Sequence, residues 1–240
     1  MRSLVDRLRP RFAANGKHAA YRGLFQLFDR FLYSSTHTTI GAPHVRDAIS
    51  VQRMMGNFVI ASIPLWLIGL WNLGEQTHFA MAQIGMTEAS GWQGVVMASL
   101  GLNHSPQDVV ACFIHGLLYF VPIFLTALLT GAFWESLFAQ QRGRSVDEGL
   151  FAIAWLFALV MPATIPLYAV ALGMSLAIII GKAVYGGMGR YIVNPVVLGF
   201  AFLMLSFPDM FFSGSTWIPV PGYVEPTTIE LAVEEGGVGA

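Results

Sequence analysis

The sequence has 240 residues, of which 55% are hydrophobic and only 11% are charged, whereas a soluble globular domain is typically about 25% charged. This balance excludes an ordinary soluble domain and indicates an integral membrane protein. The net charge of −1 gives no indication of a nucleic-acid partner. The single cysteine, Cys112, excludes an intrachain disulfide and any cysteine-only metal or iron–sulfur site within this chain.

The first 53 residues are basic and hold nine of the thirteen Lys and Arg residues. Their apolar residues recur at spacings that place them on one helix face, namely Phe25, Leu27, Phe28, Phe31 and Leu32. A basic amphipathic helix of this kind lies on a membrane surface. Residues 1–53 are therefore predicted to form a cytoplasmic amphipathic arm.

Residues 54–207 are predicted to form a transmembrane helical domain. Met54–Leu73 has no charge and reaches the roughly 20 residues that a span requires, and the apolar stretch Val109–Trp134 is longer still. Residues 74–108 between them, which have no Lys or Arg, are predicted to form a polar loop. Leu150–Met161 is too short to cross and runs into Pro162–Pro166, which predicts a helix that is broken or tightly turned at the prolines. Two further short apolar segments follow at Ile165–Ile180 and Val196–Phe207.

The predicted fold is therefore an all-α polytopic membrane protein with about five transmembrane helices, some of them short or broken. All thirteen Lys and Arg residues fall on alternate loops, and cytoplasmic loops retain positive charge. The N-terminus is thus predicted to be cytoplasmic, and the polar tail 208–240 to lie outside. Short spans interrupted by glycine and proline are typical of one half of an inverted-repeat transporter bundle.

A glycine-rich stretch between two apolar segments is the first candidate site. Lys182 and Arg190 flank three glycines that permit a tight turn or a close approach to a ligand, and Asn194 follows. Irregular backbone at membrane depth survives only where it is buried or lines a cavity, which predicts a binding site. The alternatives are a tight interhelical turn for the glycines and a positive-inside anchor for Arg190. The glycines are Gly186, Gly187 and Gly189.

Five motifs occur in a fixed order: Gly16–His18, His44–Asp47, Gly131–Glu135, Val146–Gly149 and Gly186–Arg190 with Asn194-Pro195. Together they resemble NqrB, a membrane component of the sodium-translocating NADH:quinone oxidoreductase, in a family related to the RnfD components of Rnf electron-transfer complexes. Members of this family are built from two inverted halves, and this chain resembles little more than the first.

The resemblance implies a multi-pass subunit of a redox-driven sodium pump in the bacterial inner membrane. Such a translocase passes electrons through flavins towards ubiquinone, together with partner subunits that include the one binding NADH. Its cofactors are a covalently attached FMN and a non-covalent riboflavin. Two other functions stay open from the residues: half of a secondary transporter without redox chemistry, and a structural subunit that has lost its flavin.

The family attaches FMN through a threonine in a Ser/Thr-Gly-Ala-Thr/Ser motif, which this sequence lacks. The register of the resemblance places the acceptor at Thr227 or Thr228, whereas the nearest small-residue setting surrounds Thr216. Pro226 fixes φ near −65°, and Glu225 brings negative charge towards an incoming phosphate. The altered motif predicts against covalent attachment, with Thr227 the first candidate if attachment occurs.

The resemblance also assigns contacts to the other motifs. The glycine stretch, with Arg190 and Asn194, is predicted to contact flavin or quinone, since a carboxamide both donates and accepts hydrogen bonds.

Glu135 is either a sodium-pathway residue or an ordinary interfacial carboxylate. The residues before it are predicted to meet the quinone head group, although an interfacial Trp is expected in any case; they are Gly131, Ala132, Phe133 and Trp134. His115 is predicted to be a hydrogen-bonded packing residue, and no histidine pair has metal-site spacing.

Overall fold

The computed structural model describes residues 51–87, 89–142, 149–187, 189–212 and 216–223. Within these ranges the chain is helical and has no strand. Seven α-helices follow one another: α1 Val51–Gln83, α2 Trp92–Ser99, α3 Val109–Arg142, α4 Leu150–Val160, α5 Leu167–Ile178, α6 Pro195–Ser206 and α7 Asp209–Phe212. A π-helical turn, Ile179–Ala183, continues α5. The prediction of an all-α fold is thereby confirmed.

Two of these helices are long and apolar enough to cross a membrane, at Arg53–Gln83 and Val109–Arg142. Three shorter apolar helices follow, at Leu150–Val160, Leu167–Ala183 and Pro195–Ser206. The five predicted segments are therefore all helical. The predicted break at the prolines is also confirmed, because α4 ends at Val160 and α5 begins at Leu167.

One boundary was predicted wrongly. The first span was expected to end at Leu73, with residues 74–108 forming a polar loop, whereas α1 continues to Gln83 and the short helix α2 lies in the rest of that range. The ten additional residues include Glu75 and His78, which the sequence had placed in a loop. At 1.5 Å per residue a helix of 33 residues is about 50 Å long. It exceeds the ~30 Å hydrocarbon thickness, so its polar end can continue beyond the apolar layer.

The chain divides into two compact units. Of the described residues, unit 1 comprises 51–62 and those within Phe124–Ala158 and Ala171–Ala201. In unit 1 the indole N–H of Trp155 donates to the hydroxyl of Ser62 at 2.8 Å. The ring of Phe124 meets that of Trp155 edge-on, with centroids 5.6 Å apart. This hydrogen bond and this ring contact join α1, α3 and α4 within the unit.

Of the described residues, unit 2 comprises those within Ile63–Ile123 and Leu159–Val170, with 202–212 and 216–223. Helices α1 and α3 cross each other closely in this unit. A Cβ built on Gly74 would lie 1.9 Å from the carbonyl oxygen of Cys112, and one built on Gly116 would lie 2.1 Å from the carbonyl oxygen of Leu70. Small residues allow membrane helices to approach this closely. An apolar cluster also joins the end of α1 to the tail; its buried residues are Ala80, Met81, Ile218 and Val220.

The outer surface of α1 is strongly apolar in unit 2. Leu65 is 67% exposed and Ile68 is 62% exposed. A contiguous exposed apolar surface marks contact with a membrane or a partner protein. This surface is as expected for the lipid-facing side of a polytopic membrane protein.

The predicted arm and tail fall mostly outside the described residues. Of the arm, only residues 51–53 are described, and they begin α1. Of the tail 208–240, the structure describes 208–212 and 216–223. Thr227 and Thr228 lie outside the described residues.

Candidate functional site

A buried ion pair in unit 1 is the most polar feature of the apolar helices. The Lys182 ammonium donates to the carboxylate of Glu135. Lys182 is only 2% exposed and Glu135 only 7% exposed. A carboxylate or an ammonium buried to this degree requires a charged partner. The Glu135 carboxylate therefore compensates the charge of the buried Lys182 ammonium in this unit.

The π-helical turn determines where Lys182 points. In this turn the backbone N–H of Val184 donates to Ile179 O at 3.0 Å, and that of Gly187 donates to Lys182 O at 3.2 Å. Each bond spans five residues, which inserts an extra residue relative to an α-helix. The side chains that follow are rotated around the helix axis, and Lys182 faces inward. Such π-bulges are frequent at functional sites.

Sequence reasoning did not find this pairing. The sequence predicts Lys182 only as one of two cations that flank the three glycines, and Glu135 as an interfacial or sodium-pathway carboxylate. The two residues are 47 positions apart, and no local pattern connects them. The sequence contains only an indirect indication of this pairing. Glu135 and Lys182 each follow a long apolar segment, and charges in such segments tend to pair with one another.

The predicted quinone residues do not share one surface. Gly131 and Ala132 are buried, whereas Phe133 is 60% exposed. A Cβ on Gly131 would meet the side-chain ends of Leu150 at 2.6 Å and Met174 at 2.8 Å. The space over Gly131 is therefore occupied by the side chains of α4 and α5.

Trp134 has a defined partner in unit 1. Its indole N–H donates to the Ser175 hydroxyl at 2.8 Å, and that hydroxyl donates to Ala171 O at 2.6 Å. The bond fixes Trp134 of α3 against α5, one residue before Glu135 in the sequence.

The predicted glycine stretch forms a tight turn. Gly186, Gly187 and Gly189 have φ of 101°, 109° and 81°, a region that residues with a Cβ rarely adopt. The side chain of Arg190 lies over the turn, with its Cδ 3.6 Å from the position of a Cβ on Gly186. The carboxamide oxygen of Asn194 accepts a hydrogen bond from the Val196 N–H at 2.9 Å. Asn194 thus caps the start of α6, a structural role that occupies its oxygen.

Unit 2 contains an open pocket of about 560 Å³, within the usual range for small-molecule sites. Its walls come from residues 218–222 of the tail and from the proline turn between α4 and α5. The rings of Trp92 and Tyr119 and the amide of Gln93 complete it. Aromatic and proline rings beside one amide suit a flat polycyclic ligand, so the residues present fit an isoalloxazine ring.

Thr216 is tied into the backbone beside the proline turn. It is only 5% exposed, and its hydroxyl donates to Asp209 O at 3.4 Å. Its carbonyl oxygen accepts from the Thr164 hydroxyl at 2.8 Å. A hydroxyl that is buried and hydrogen-bonded is poorly placed to receive a phosphate.

Three histidines in unit 2 form a cluster that the sequence did not predict. The rings of His78 and His104 stack with centroids 5.3 Å apart, and His115 Nδ1 lies 3.0 Å from His78 Nε2. The Cys112 Sγ lies 3.4 Å from His78 Nδ1. His115 is thus a hydrogen-bonded packing residue, as predicted. Among the described residues, no group of three His, Cys, Asp or Glu side chains is placed to hold a metal ion.

Comparison with known proteins gives one consistent result. The sequence profile of the NQR2, RnfD, RnfE family matches residues 38–234. A protein of Chromohalobacter salexigens, named as the B-subunit of a Na(+)-translocating NADH-quinone reductase, is 36% identical over 98% of this chain and 57% of its own length. Proteins of the same name from Ectopseudomonas mendocina and Azotobacter vinelandii are 36% and 34% identical, over 98% and 100% of this chain and 59% and 60% of their own lengths. This chain therefore spans less than two thirds of these relatives.

Proposed function

We propose that this chain, which belongs to the NQR2, RnfD, RnfE family, is a membrane subunit of a redox-driven sodium pump of the NADH:quinone oxidoreductase type. The observation that carries the proposal is the 36% identity over 98% of the chain to proteins named for that activity. The activity belongs to an assembled complex with further subunits, in the bacterial inner membrane. Within this chain, Glu135 is the proposed sodium-pathway residue.

Flavin is the proposed redox group, and it supplies the electron-transfer chemistry when bound, while the protein positions it. The pocket of unit 2, whose lining includes Trp92, Tyr119 and Gln93, is the proposed site for one ring. This pocket includes Gly222, five residues before Thr227 in the sequence. The point at which a flavin would be attached, Thr227, is therefore close in sequence to the pocket.

The glycine turn is the proposed contact for riboflavin. Gly189 and Arg190 are exposed, as is Asn194, and Gly186 is half-exposed, so this side of the turn is available to a ring. Gly187 is buried, so its proposed part is to shape the turn. The Arg190 guanidinium is a fixed planar donor over this turn.

Ubiquinone is proposed to approach along the exposed ring of Phe133. Gly131 then acts indirectly, because it sets how closely the side chains of Leu150 and Met174 approach α3. The buried Ala132 is its neighbour in the sequence. Trp134, held by Ser175, keeps this part of α3 in place.

The function is tested on the protein isolated from its membrane together with the subunits that copurify. We expect a flavin absorption band and a NADH-dependent reduction of ubiquinone that sodium stimulates. A colourless protein in a correctly assembled complex would indicate the structural subunit. A protein with neither flavin nor partner subunits would indicate the secondary transporter.

The same preparation, denatured, tests the attachment of FMN. The altered motif leads us to expect no fluorescent adduct on the chain after denaturing electrophoresis, and the buried hydroxyl of Thr216 makes an adduct there the least expected outcome. Mass mapping of the tail peptide checks this. An adduct on Thr227 or Thr228 would show that the register of the family outweighs the local motif.

The proposed orientation places the N-terminus in the cytoplasm and the tail outside. Lys182 no longer supports this orientation as a charge on a cytoplasmic loop, because it is buried in an ion pair. The positive charges of the basic arm, Arg142, Arg144 and Arg190 still support it. In a Cys112→Ala background, we expect cysteines introduced at Glu88 and Glu230 to react with an impermeant maleimide from outside, and one at Ser145 only after permeabilisation. Labelling of Ser145 in intact cells would contradict five crossings in this orientation.

A further inference from the structure

The stretch of chain that carries α2 is closed by a hydrogen bond to a histidine. The backbone N–H of Ala89 donates to Nε2 of His104 at 3.0 Å, across 15 positions of sequence. Helix α2 lies between these two residues, and its residues Trp92 and Gln93 line the pocket of unit 2. The bond between Ala89 and His104 therefore ties together the two ends of a segment that supplies one wall of the pocket.

Ala89 connects this bond to two further parts of unit 2. Its carbonyl oxygen would lie only 1.9 Å from a Cβ built on Gly94, so α2 packs directly against it. Its side chain packs against the apolar cluster that includes Ile218 and Val220, and both of these residues line the pocket. The position of Ala89 thus affects two walls of the pocket, the one formed by α2 and the one formed by the tail.

The hydrogen bond requires that His104 carry no proton on Nε2. A backbone N–H only donates, and an imidazole nitrogen accepts only through its lone pair. A proton on Nε2 would place two N–H groups opposite each other, so protonation there and this bond exclude each other. The assignment concerns Nε2 alone and does not depend on the contacts of Nδ1. Because histidine is the side chain that changes charge between about pH 5 and 8, the bond is sensitive to pH in that range.

Further titratable groups surround His104. Its ring stacks on that of His78 with centroids 5.3 Å apart, and the centroid of His115 is 5.8 Å away. Asp108 follows in the same loop, where its carboxylate accepts from the N–H groups of Val110 and Ala111. His104 itself is half-buried in a loop between two helices, so it exchanges protons with water. The other titratable side chains near the three histidines are Glu75, Cys112 and Tyr119.

We propose that the bond between Ala89 and His104 is a pH-sensitive latch for the pocket of unit 2. When His104 is neutral, its Nε2 holds the N–H of Ala89 and, through it, the wall formed by α2. In acid, Nε2 binds a proton, the bond is lost, and the pocket binds its occupant more weakly. The nature of that occupant and the exposure of this loop to the outer medium rest on the proposed function and orientation, whereas the latch rests on the contact of Ala89 with His104.

Hydrogen–deuterium exchange tests the latch without any ligand, on the protein as isolated from its membrane. Peptides that cover residues 86–99 are followed by mass spectrometry at about pH 8 and about pH 5, each relative to an unstructured peptide of the same sequence at the same pH. Exchange reports how often a hydrogen-bonded segment opens. In the wild type we expect relative exchange to be about fivefold faster at the acid pH, which corresponds to the loss of one net hydrogen bond.

Two substitutions of His104 separate the bond from its titration. The carboxamide oxygen of His104→Gln accepts a hydrogen bond and does not titrate, so this variant is expected to exchange slowly at both pH values. His104→Leu has no acceptor and is expected to exchange faster at both. Glu88→Gln is the matched control, because Glu88 is the titratable residue next to Ala89 in the sequence, and it is expected to keep the pH dependence of the wild type.

A wild type whose relative exchange is the same at both pH values would overturn the latch. A His104→Gln protein that keeps the full pH dependence would overturn it as well. If His104→Gln does not fold, His104→Leu decides, and a pH dependence that survives in that variant contradicts the proposal.

Release of non-covalent flavin from the same preparations reports separately on the proposed function. We expect the wild type to release flavin at about pH 5 and His104→Gln to retain it, as measured by flavin fluorescence in the filtrate. Equal release from both, with the expected exchange, would contradict the placement of flavin in this pocket and support the latch. A flavin-containing, sodium-stimulated quinone reductase without pH-dependent exchange would support the proposed function and overturn the latch.

Discussion

Replacing Gly116 by alanine is expected to destabilise the protein by about 3 kcal/mol, although alanine is the better helix former by roughly 1 kcal/mol. The added Cβ would lie 2.1 Å from the carbonyl oxygen of Leu70, which is backbone and cannot rotate away. Helices α1 and α3 would have to separate, and the neighbouring contact of Gly74 with Cys112 would separate with them. The sign of the effect is thus opposite to that of helix propensity.

The measurement is the thermal or denaturant stability of the purified protein in lipid nanodiscs. Gly69→Ala is the matched control, since Gly69 lies in α1 next to Leu70 and a Cβ there would meet nothing within 4 Å. It is expected to leave the stability unchanged or to raise it by roughly 0.5–1 kcal/mol. A Gly116→Ala protein as stable as this control would contradict the close crossing of the two helices.

Replacing Glu135 by leucine is expected to have the second large effect, a loss of about 3–5 kcal/mol. The substitution keeps a side chain of similar size on α3 and leaves the Lys182 ammonium buried without its carboxylate. The cost is that of an uncompensated charge in an apolar surrounding, not that of a lost hydrogen bond alone. The same stability measurement checks it.

Adding Lys182→Met to Glu135→Leu is expected to restore most of the lost stability, because apolar replacement of both partners of a buried pair is often neutral or stabilising. Glu75→Leu, at a half-exposed acid in α1, serves as the control and is expected to change stability by less than about 1 kcal/mol. If the double variant is no more stable than Glu135→Leu alone, the two charges are not energetically coupled.

The sequence predicted the helices closely because their signals are local. The length of an apolar run and the position of a proline depend only on neighbouring residues, and the break at Pro162–Pro166 separates α4 from α5 as predicted. The three glycines from Gly186 to Gly189 likewise adopt the positive φ that their composition suggested. The end of α1 was missed because its last ten residues are polar enough to resemble a loop, while packing against the tail at Ala80 and Met81 keeps them helical.

The contacts between helices could not be predicted in this way. An amphipathic helix shows in its sequence which face is buried, but the apolar helices of this chain carry hydrophobic residues on all sides and therefore do not indicate their rotation. Whether Gly116 meets Leu70, or whether Lys182 meets Glu135 across 47 positions, depends on that rotation and, for Lys182, on the extra residue of the π-helical turn. The sequence by itself thus determined the class, the helices and the family of this protein, whereas the buried ion pair, the histidine cluster and the close helix crossing were decided only by tertiary packing, which orients each helix about its own axis.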